Sequence, residues 1–147
     1  MTEEIIQTEN ETIEFGKKLA QNFHGGDIVL LYGNLGAGKT TLSKGIARGL
    51  GIEKDITSPT FTLMNVYPIA LTKNGIKTFA HIDTYRLNDA KELVAIGVED
   101  YLGASDTVTV IEWPEKVEEL LEGKKVMKIF LEHDGEGRKI HLENFQF

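Results

Sequence analysis

The run Asp27-Ile28-Val29-Leu30-Leu31-Tyr32-Gly33-Asn34-Leu35-Gly36-Ala37-Gly38-Lys39-Thr40 constrains this chain more than any other, because an apolar stretch of strand length passes without a linker into G-x-x-x-x-G-K-[ST]. Residues 28–32 read as a buried strand, and Leu42, Ile46, Ala47 and Leu50 fall on one face of a helix that Gly51 ends. Each residue type between them answers a physical requirement. Glycine at 33, 36 and 38 permits positive φ and close backbone approach, so the N–H groups of Asn34, Leu35, Gly36, Ala37, Gly38, Lys39 and Thr40 can converge on phosphate oxygens. Lys39 brings a mobile ammonium to the β and γ oxygens, Thr40 offers a hydroxyl to Mg²⁺, and Thr41 is within reach of the α-phosphate. The segment is a phosphate-binding P-loop, and a nucleoside triphosphate is its expected ligand.

A chain of 147 residues with 41% apolar content suffices for one independent core, and a single domain over residues 1–147 is the expectation. No apolar run approaches the roughly 18 residues that span a bilayer, and Met1-Thr2-Glu3-Glu4 lacks the basic start of a secretory signal. A cytoplasmic protein without membrane contact is expected. The absence of cysteine excludes disulfides, thiolate catalysis and zinc-finger sites, which leaves a divalent ion on oxygen ligands as the expected metal. A formal charge of -7 is the wrong sign for gripping nucleic acid by neutralising its phosphates, so any RNA role must be shared with partners.

Thr8-Glu9-Asn10-Glu11 fits a capping box before a helix whose Thr12, Phe15, Leu19, Ala20 and Phe23 share a face, and His24-Gly25-Gly26 stops it. Beyond the P-loop helix, residues 61–71 and 76–82 flank Asn74-Gly75, a dipeptide suited to a two-residue hairpin turn. Asn88 or Asp89 caps a helix through about Ala95, Gly97 interrupts it, and residues 98–102 add a short helical turn. Residues 107–112 form a buried strand, and Pro114 suits the first position of a helix through Leu121. Residues 126–131 and 139–145 make a second hairpin about Asp134-Gly135. The expected fold is α/β, a P-loop NTPase with a mixed central sheet flanked by helices.

Phosphate-bound Mg²⁺ calls for an acidic group at the end of a neighbouring strand. Glu112 ends the most apolar strand and is favoured for Mg²⁺; Asp83 ends the strand of residues 76–82 and can ligate through water or act as a base, the order of the two being open. Thr57-Ser58-Pro59-Thr60-Phe61 reads either as a phosphate-sensing switch segment or as a plain turn. Trp113, the single tryptophan, either leans over the nucleotide or is buried in the core, and Arg138 after a Gly-Glu-Gly turn either reaches a phosphate or stays exposed. His24, His81, His133 and His141 lack the spacing of a metal or nucleophile site and read as structural or solvent-facing.

In order along the chain, G-N-L-G-A-G-K-T-T, S-P-T-F-T-L, H-I-D-T-Y-R-L, E-L-V-A-I-G-V-E-D-Y-L and I-E-W-P-E resemble the TsaE family, small bacterial P-loop ATPases of tRNA threonylcarbamoyladenosine synthesis. The resemblance is strong over residues 31–115 and weaker in the first helix and last hairpin. Thr84 stands where the family more often has leucine, a departure read as touching no proposed ligand. What the resemblance implies is an ATPase that joins the TsaB and TsaD proteins and supports threonylcarbamoyl transfer to an adenosine beside the anticodon, meeting tRNA only through the complex. It implies ATP and Mg²⁺ as cofactors, Lys39 and Thr40 as phosphate and Mg²⁺ residues, Glu112 as a metal ligand and Asp83 as catalytic or nucleotide-site. It also places Trp113, Thr8 and Arg138 near the nucleotide.

Three other readings compete. A small-molecule P-loop kinase needs an arginine-rich lid, and Arg48, Arg86 and Arg138 are all the arginine there is. A GTP switch needs a guanine-selecting N-K-x-D string, which is absent, and Asp83-Thr84-Tyr85-Arg86 is not D-x-x-G. A nucleotide-sensing module would bind without turnover.

Overall fold

Four consecutive residues of the strand that leads into the P-loop, Ile28, Val29, Leu30 and Leu31, are each no more than 2% exposed, so this strand must be covered on both faces. The computed structural model shows how; it describes residues 2–34, 36–57 and 63–145, without the side chains of 2 and 71–73. In chain order the elements are β1 (Thr2–Ile6), α1 (Glu9–Ala20), β2 (Ile28–Tyr32), α2 (Lys39–Gly49), β3 (Met64–Lys73), β4 (Ile76–Asp83) and α3 (Lys91–Ala95). A 3₁₀ turn (Val98–Asp100), β5 (Thr107–Glu112), a 3₁₀ segment (Pro114–Leu121), β6 (Met127–Asp134) and β7 (Gly137–Glu143) complete the chain.

The strands form one seven-stranded sheet in the order β1-β7-β6-β2-β5-β4-β3. β6, β2, β5 and β4 are mutually parallel, and antiparallel strands close both sides: β3 on β4, β7 on β6 and β1 on β7. Both expected hairpins are present and the sheet is mixed as expected. Alternation sorts β2 between two cores. Val29 and Leu31 join Leu42, Ile46, Val108, Val110 and Ile129 on the α1/α2 side. Ile28 and Leu30 join Ile82, Leu93, Val98, Ile111 and Val117 on the other. Burying each such side chain stabilises the fold by about 1.5–3 kcal/mol.

Helices α1 and α2 lie in backbone contact. A Cβ on Gly45 would fall 2.3 Å from the Ile13 carbonyl oxygen, one on Gly16 2.8 Å from the Leu42 carbonyl oxygen, and one on Gly49 2.6 Å from the Ala20 Cβ. Contacts advance together along both helices, 13 with 45 and 20 with 49, so the two run in the same direction. That brings the start of α1, capped by Thr8 Oγ1 accepting the Glu11 N–H at 3.1 Å, beside the P-loop.

Three local expectations are corrected. Residues 2–6 form a strand with no signal in their own sequence, because the pattern Thr-Glu-Glu-Ile-Ile has no apolar alternation and the pairing with β7 supplies the order. Residues 114–121 are a 3₁₀ segment broken at Val117 (φ -130°, ψ 22°), not one α-helix. Helix α3 covers only Lys91–Ala95 after Ala90, with Asp89 Oδ1 accepting the Lys91 N–H at 2.9 Å just ahead of it. Among the described residues, no helix is long and apolar enough to cross a membrane.

Candidate nucleotide site

The C-terminal ends of parallel strands are where an open α/β sheet presents its loops to a ligand, and here β2, β4 and β5 end side by side. β2 delivers the P-loop. Gly38 sits at φ 104°, a left-handed conformation that glycine adopts without steric cost, and as the N-cap of α2 it supplies no side-chain acceptor. Gly38 therefore offers the first N–H groups of α2 no capping side chain of its own, and a helix N-terminus that follows a glycine loop in this way is an arrangement that binds anions.

Lys39 is only 5% exposed. Its ammonium donates to the Gly33 carbonyl and stands 3.3 Å from the centroid of the Trp113 indole. Burial pulls its pKa down, against the raising influence of Glu112, Glu115 and Asp83. A cation held by one carbonyl and one ring face is poised for exchange to a stronger anionic partner.

Glu112 is 2% exposed and ends β5 in register with Asp83 at the end of β4. Its Oε1 accepts from Thr40 Oγ1 at 3.1 Å, and its Oε2 meets His81 Nε2 at 2.5 Å and Ser43 Oγ at 3.4 Å. Thr40 and Ser43 lie three residues apart in the first two turns of α2, so one helix supplies two hydroxyls to one carboxylate. Asp83 Oδ1 accepts the Tyr85 N–H at 3.0 Å. Burial raises the Asp83 pKa above 3.8, opposed by that N–H bond and reinforced by the Glu112 charge.

The oxygens of Thr40 and Glu112 are hard donors at the mouth of the phosphate loop, and they suit Mg²⁺. No group of three or more acidic or histidine side chains able to hold a metal occurs among the described residues. An ion here would complete its shell with phosphate and water oxygens, as Mg²⁺ commonly does.

The structure brings together Lys39, Thr40, Thr41, Asp83, Glu112 and Trp113, with Gly36 and Gly38, around a cavity of about 300 Å³. A second cavity of about 250 Å³, lined by Thr8, Thr41, Gly38 and Arg138 among others, adjoins it through Gly36, Gly38 and Thr41. Thr8 and Arg138 therefore lie off to one side of the Lys39–Glu112 cluster. The Thr8 hydroxyl oxygen is engaged as the α1 cap. Arg138 donates to the Ala37 carbonyl at 3.0 Å and to the Gly36 carbonyl at 3.3 Å, clamping the P-loop to the β6–β7 hairpin. The Ala37 N–H closes the loop on the Asn34 carbonyl at 3.0 Å. Leu35 and residues 58–61 of the candidate switch segment lie outside the described residues.

Of the two alternatives for His81 the structural one holds: it is fully buried against Glu112, and its Nδ1 has no hydrogen-bond partner among the described residues. Its place two residues before Asp83 on one strand, hence on the same face, was the signal available in the sequence. Thr84 does touch a proposed ligand. Its Oγ1 lies 3.1 Å from the Glu112 carbonyl and also donates to that of Trp113.

A P-loop opening into a mixed sheet, with an acid at the neighbouring strand's end, defines the P-loop NTPase class. Sequence comparison narrows this. The model of the family described as "Threonylcarbamoyl adenosine biosynthesis protein TsaE" matches residues 6–140. A Synechocystis relative named tRNA threonylcarbamoyladenosine biosynthesis protein TsaE is 43% identical over 114 residues, covering 76% of this chain and 69% of its own. A Haemophilus influenzae relative of the same name is 36% identical over 144 residues, covering 95% and 87%. The solved structure of Bacillus subtilis YdiB superposes with a TM-score of 0.73 at 30% identity, covering 95% of this chain and 82% of that one. The chain belongs to the TsaE family.

Proposed function

We propose that this chain is the ATPase subunit that works with the TsaB and TsaD proteins in threonylcarbamoyl transfer to the adenosine beside the tRNA anticodon. ATP is bound with its phosphates in the loop of residues 33–40, and hydrolysis supports repeated turnover of the complex. The names of the relatives support the pathway. The contact of Thr40 Oγ1 with Glu112 Oε1 at 3.1 Å, beside a buried Lys39, is the observation that carries the chemistry.

In this reading the loop N–H groups hold the phosphate oxygens and Lys39 leaves the Gly33 carbonyl for the β/γ oxygens, where it neutralises the charge that develops during transfer to water. Thr40 and Glu112 would hold Mg²⁺, which would supply Lewis-acid polarisation of the phosphate oxygens. His81 and Ser43 fix the Glu112 carboxylate from behind. Asp83, whose raised pKa makes its carboxylate a better proton acceptor, orients the attacking water. Trp113 covers the Lys39 side of the cavity. A net charge of -7 favours reaching tRNA through partner proteins in the cytoplasm over clamping it alone.

The test is reconstitution. The chain, TsaB, TsaD, ATP, Mg²⁺, threonylcarbamoyl donor and unmodified tRNA should give many rounds of modification with phosphate release, and Lys39→Ala should stop both. Multiple turnover without the chain, or with Lys39→Ala at the wild-type rate, would remove the proposal.

A further inference from the structure

The turn that follows Glu112 is improbable by itself. Trp113 lies in the left-handed region, at φ 62° and ψ 50°, with no glycine to relieve the Cβ contact. Pro114 follows, and a proline drives the residue before it towards extended backbone. Something outside the turn must hold it.

Thr84, one residue past the end of β4, is the group in position. It is fully buried. Its N–H donates to the Glu112 carbonyl at 3.1 Å, and its hydroxyl lies between the Glu112 carbonyl, also at 3.1 Å, and the Trp113 carbonyl. The Lys116 N–H, the other donor to the Trp113 carbonyl among the described residues, stands off at 3.4 Å. The turn in question sets two groups at once. Before it, the Glu112 carboxylate reaches Thr40 and His81; after it, the indole lies over Lys39 and 5.0 Å from the Tyr85 ring. Extended backbone at Trp113 would carry the indole away from Lys39.

We propose that Thr84 is a positioning residue: its hydroxyl locks the left-handed turn at Trp113, and so holds the indole over Lys39 and the Glu112 carboxylate on Thr40. The consequence for hydrolysis rests on the ATPase reading above; the consequence for Trp113 does not.

Trp113 is the single tryptophan, so intrinsic fluorescence reports this turn without any nucleotide. Thr84→Val keeps the shape of the side chain and removes the donor, whereas Thr84→Ser keeps the donor. In the nucleotide-free protein, Thr84→Val should red-shift the emission and raise acrylamide quenching, and Thr84→Ser should match wild type. With TsaB and TsaD present, Thr84→Val should lower kcat for ATP about tenfold at nearly unchanged KM, because a displaced catalytic group costs rate rather than ground-state binding. The Trp113→Gly background provides the coupling test, since glycine takes the left-handed turn freely. There, adding Thr84→Val should lower kcat no further.

Wild-type emission and quenching in Thr84→Val would overturn the proposal, as would altered emission with wild-type kcat, or the same tenfold loss in the Trp113→Gly background. If Thr84→Val alone does not fold, the double variant should fold, its turn no longer needing the hydroxyl; failure of both assigns Thr84 to the core and overturns the proposal. An emission shift in Thr84→Val, rescued in Thr84→Ser, alongside a wild type that hydrolyses no ATP, supports the clamp and refutes the ATPase reading.

Discussion

Helix α2 belongs to two regions built on opposite terms. Along its flank it meets α1 through Gly16, Gly45 and Gly49, where backbone lies on backbone and an added methyl has no space. At its N-terminus it meets β5 through Lys39, Thr40, Ser43 and Glu112, where charges are buried, hydroxyls bridge to a carboxylate, and the adjoining Trp113 holds a conformation costing about 1–2 kcal/mol. The flank admits one arrangement. The N-terminal region holds groups whose present partners, the Gly33 carbonyl for Lys39 and the Glu112 carboxylate for Thr40, are of the kind that phosphate and Mg²⁺ replace. The same helix thus carries rigidity on one side and exchangeable polar contacts at one end, and the first keeps the second in place.

Substitutions should separate the two regions. The largest effect is expected for Lys39→Ala and Glu112→Ala, each lowering partner-stimulated ATP hydrolysis by about 10³-fold while the far-UV circular dichroism stays that of the wild type. Asp83→Asn should lower hydrolysis by about 10²-fold. Its effect on stability has the opposite sign. The native Asp83 pKa is raised, so the native state binds the proton more tightly than the unfolded chain, and ionisation costs stability as pH rises from 3.8 through the raised value. Asparagine is free of that cost while its side-chain oxygen can still accept the Tyr85 N–H. Thermal midpoints should therefore favour Asp83→Asn at pH 7, the advantage vanishing below pH 3.8. The acid limb of the wild-type pH–rate profile should likewise lie above 3.8.

On the flank, Gly45→Val should cost about 2 kcal/mol in urea unfolding, because its Cβ meets the Ile13 carbonyl. Activity per folded molecule should persist. The smallest effect is expected where the regions adjoin. Thr8→Ala removes the α1 cap and should cost about 1 kcal/mol of stability, with little change in KM for ATP if the hydroxyl serves only the helix. A large rise in KM would instead move Thr8 into the site.

What the sequence disclosed follows from how local each signal is. The P-loop, the acids that end two apolar strands, and both hairpins are written in adjacent residues, and the structure contains all of them. The alternation of β4 and the resemblance pointed His81 and Arg138 towards the site, but the particular contacts of His81, Thr84 and Arg138 were not legible, because their partners lie 31, 28 and 101 residues away and only the strand order brings them together. β1 escaped notice because an edge strand draws its order from its neighbour. The break at Val117 has no marker in its own residues, though Pro114 correctly located the start of that segment.

Titration of Mg²⁺–ATP into the folded chain by calorimetry tests the central claim most directly. One saturable site in the wild type, lost in Lys39→Ala while that variant remains folded, is the expected result. No heat from folded wild type at millimolar ATP, or an unchanged isotherm in Lys39→Ala, would contradict it.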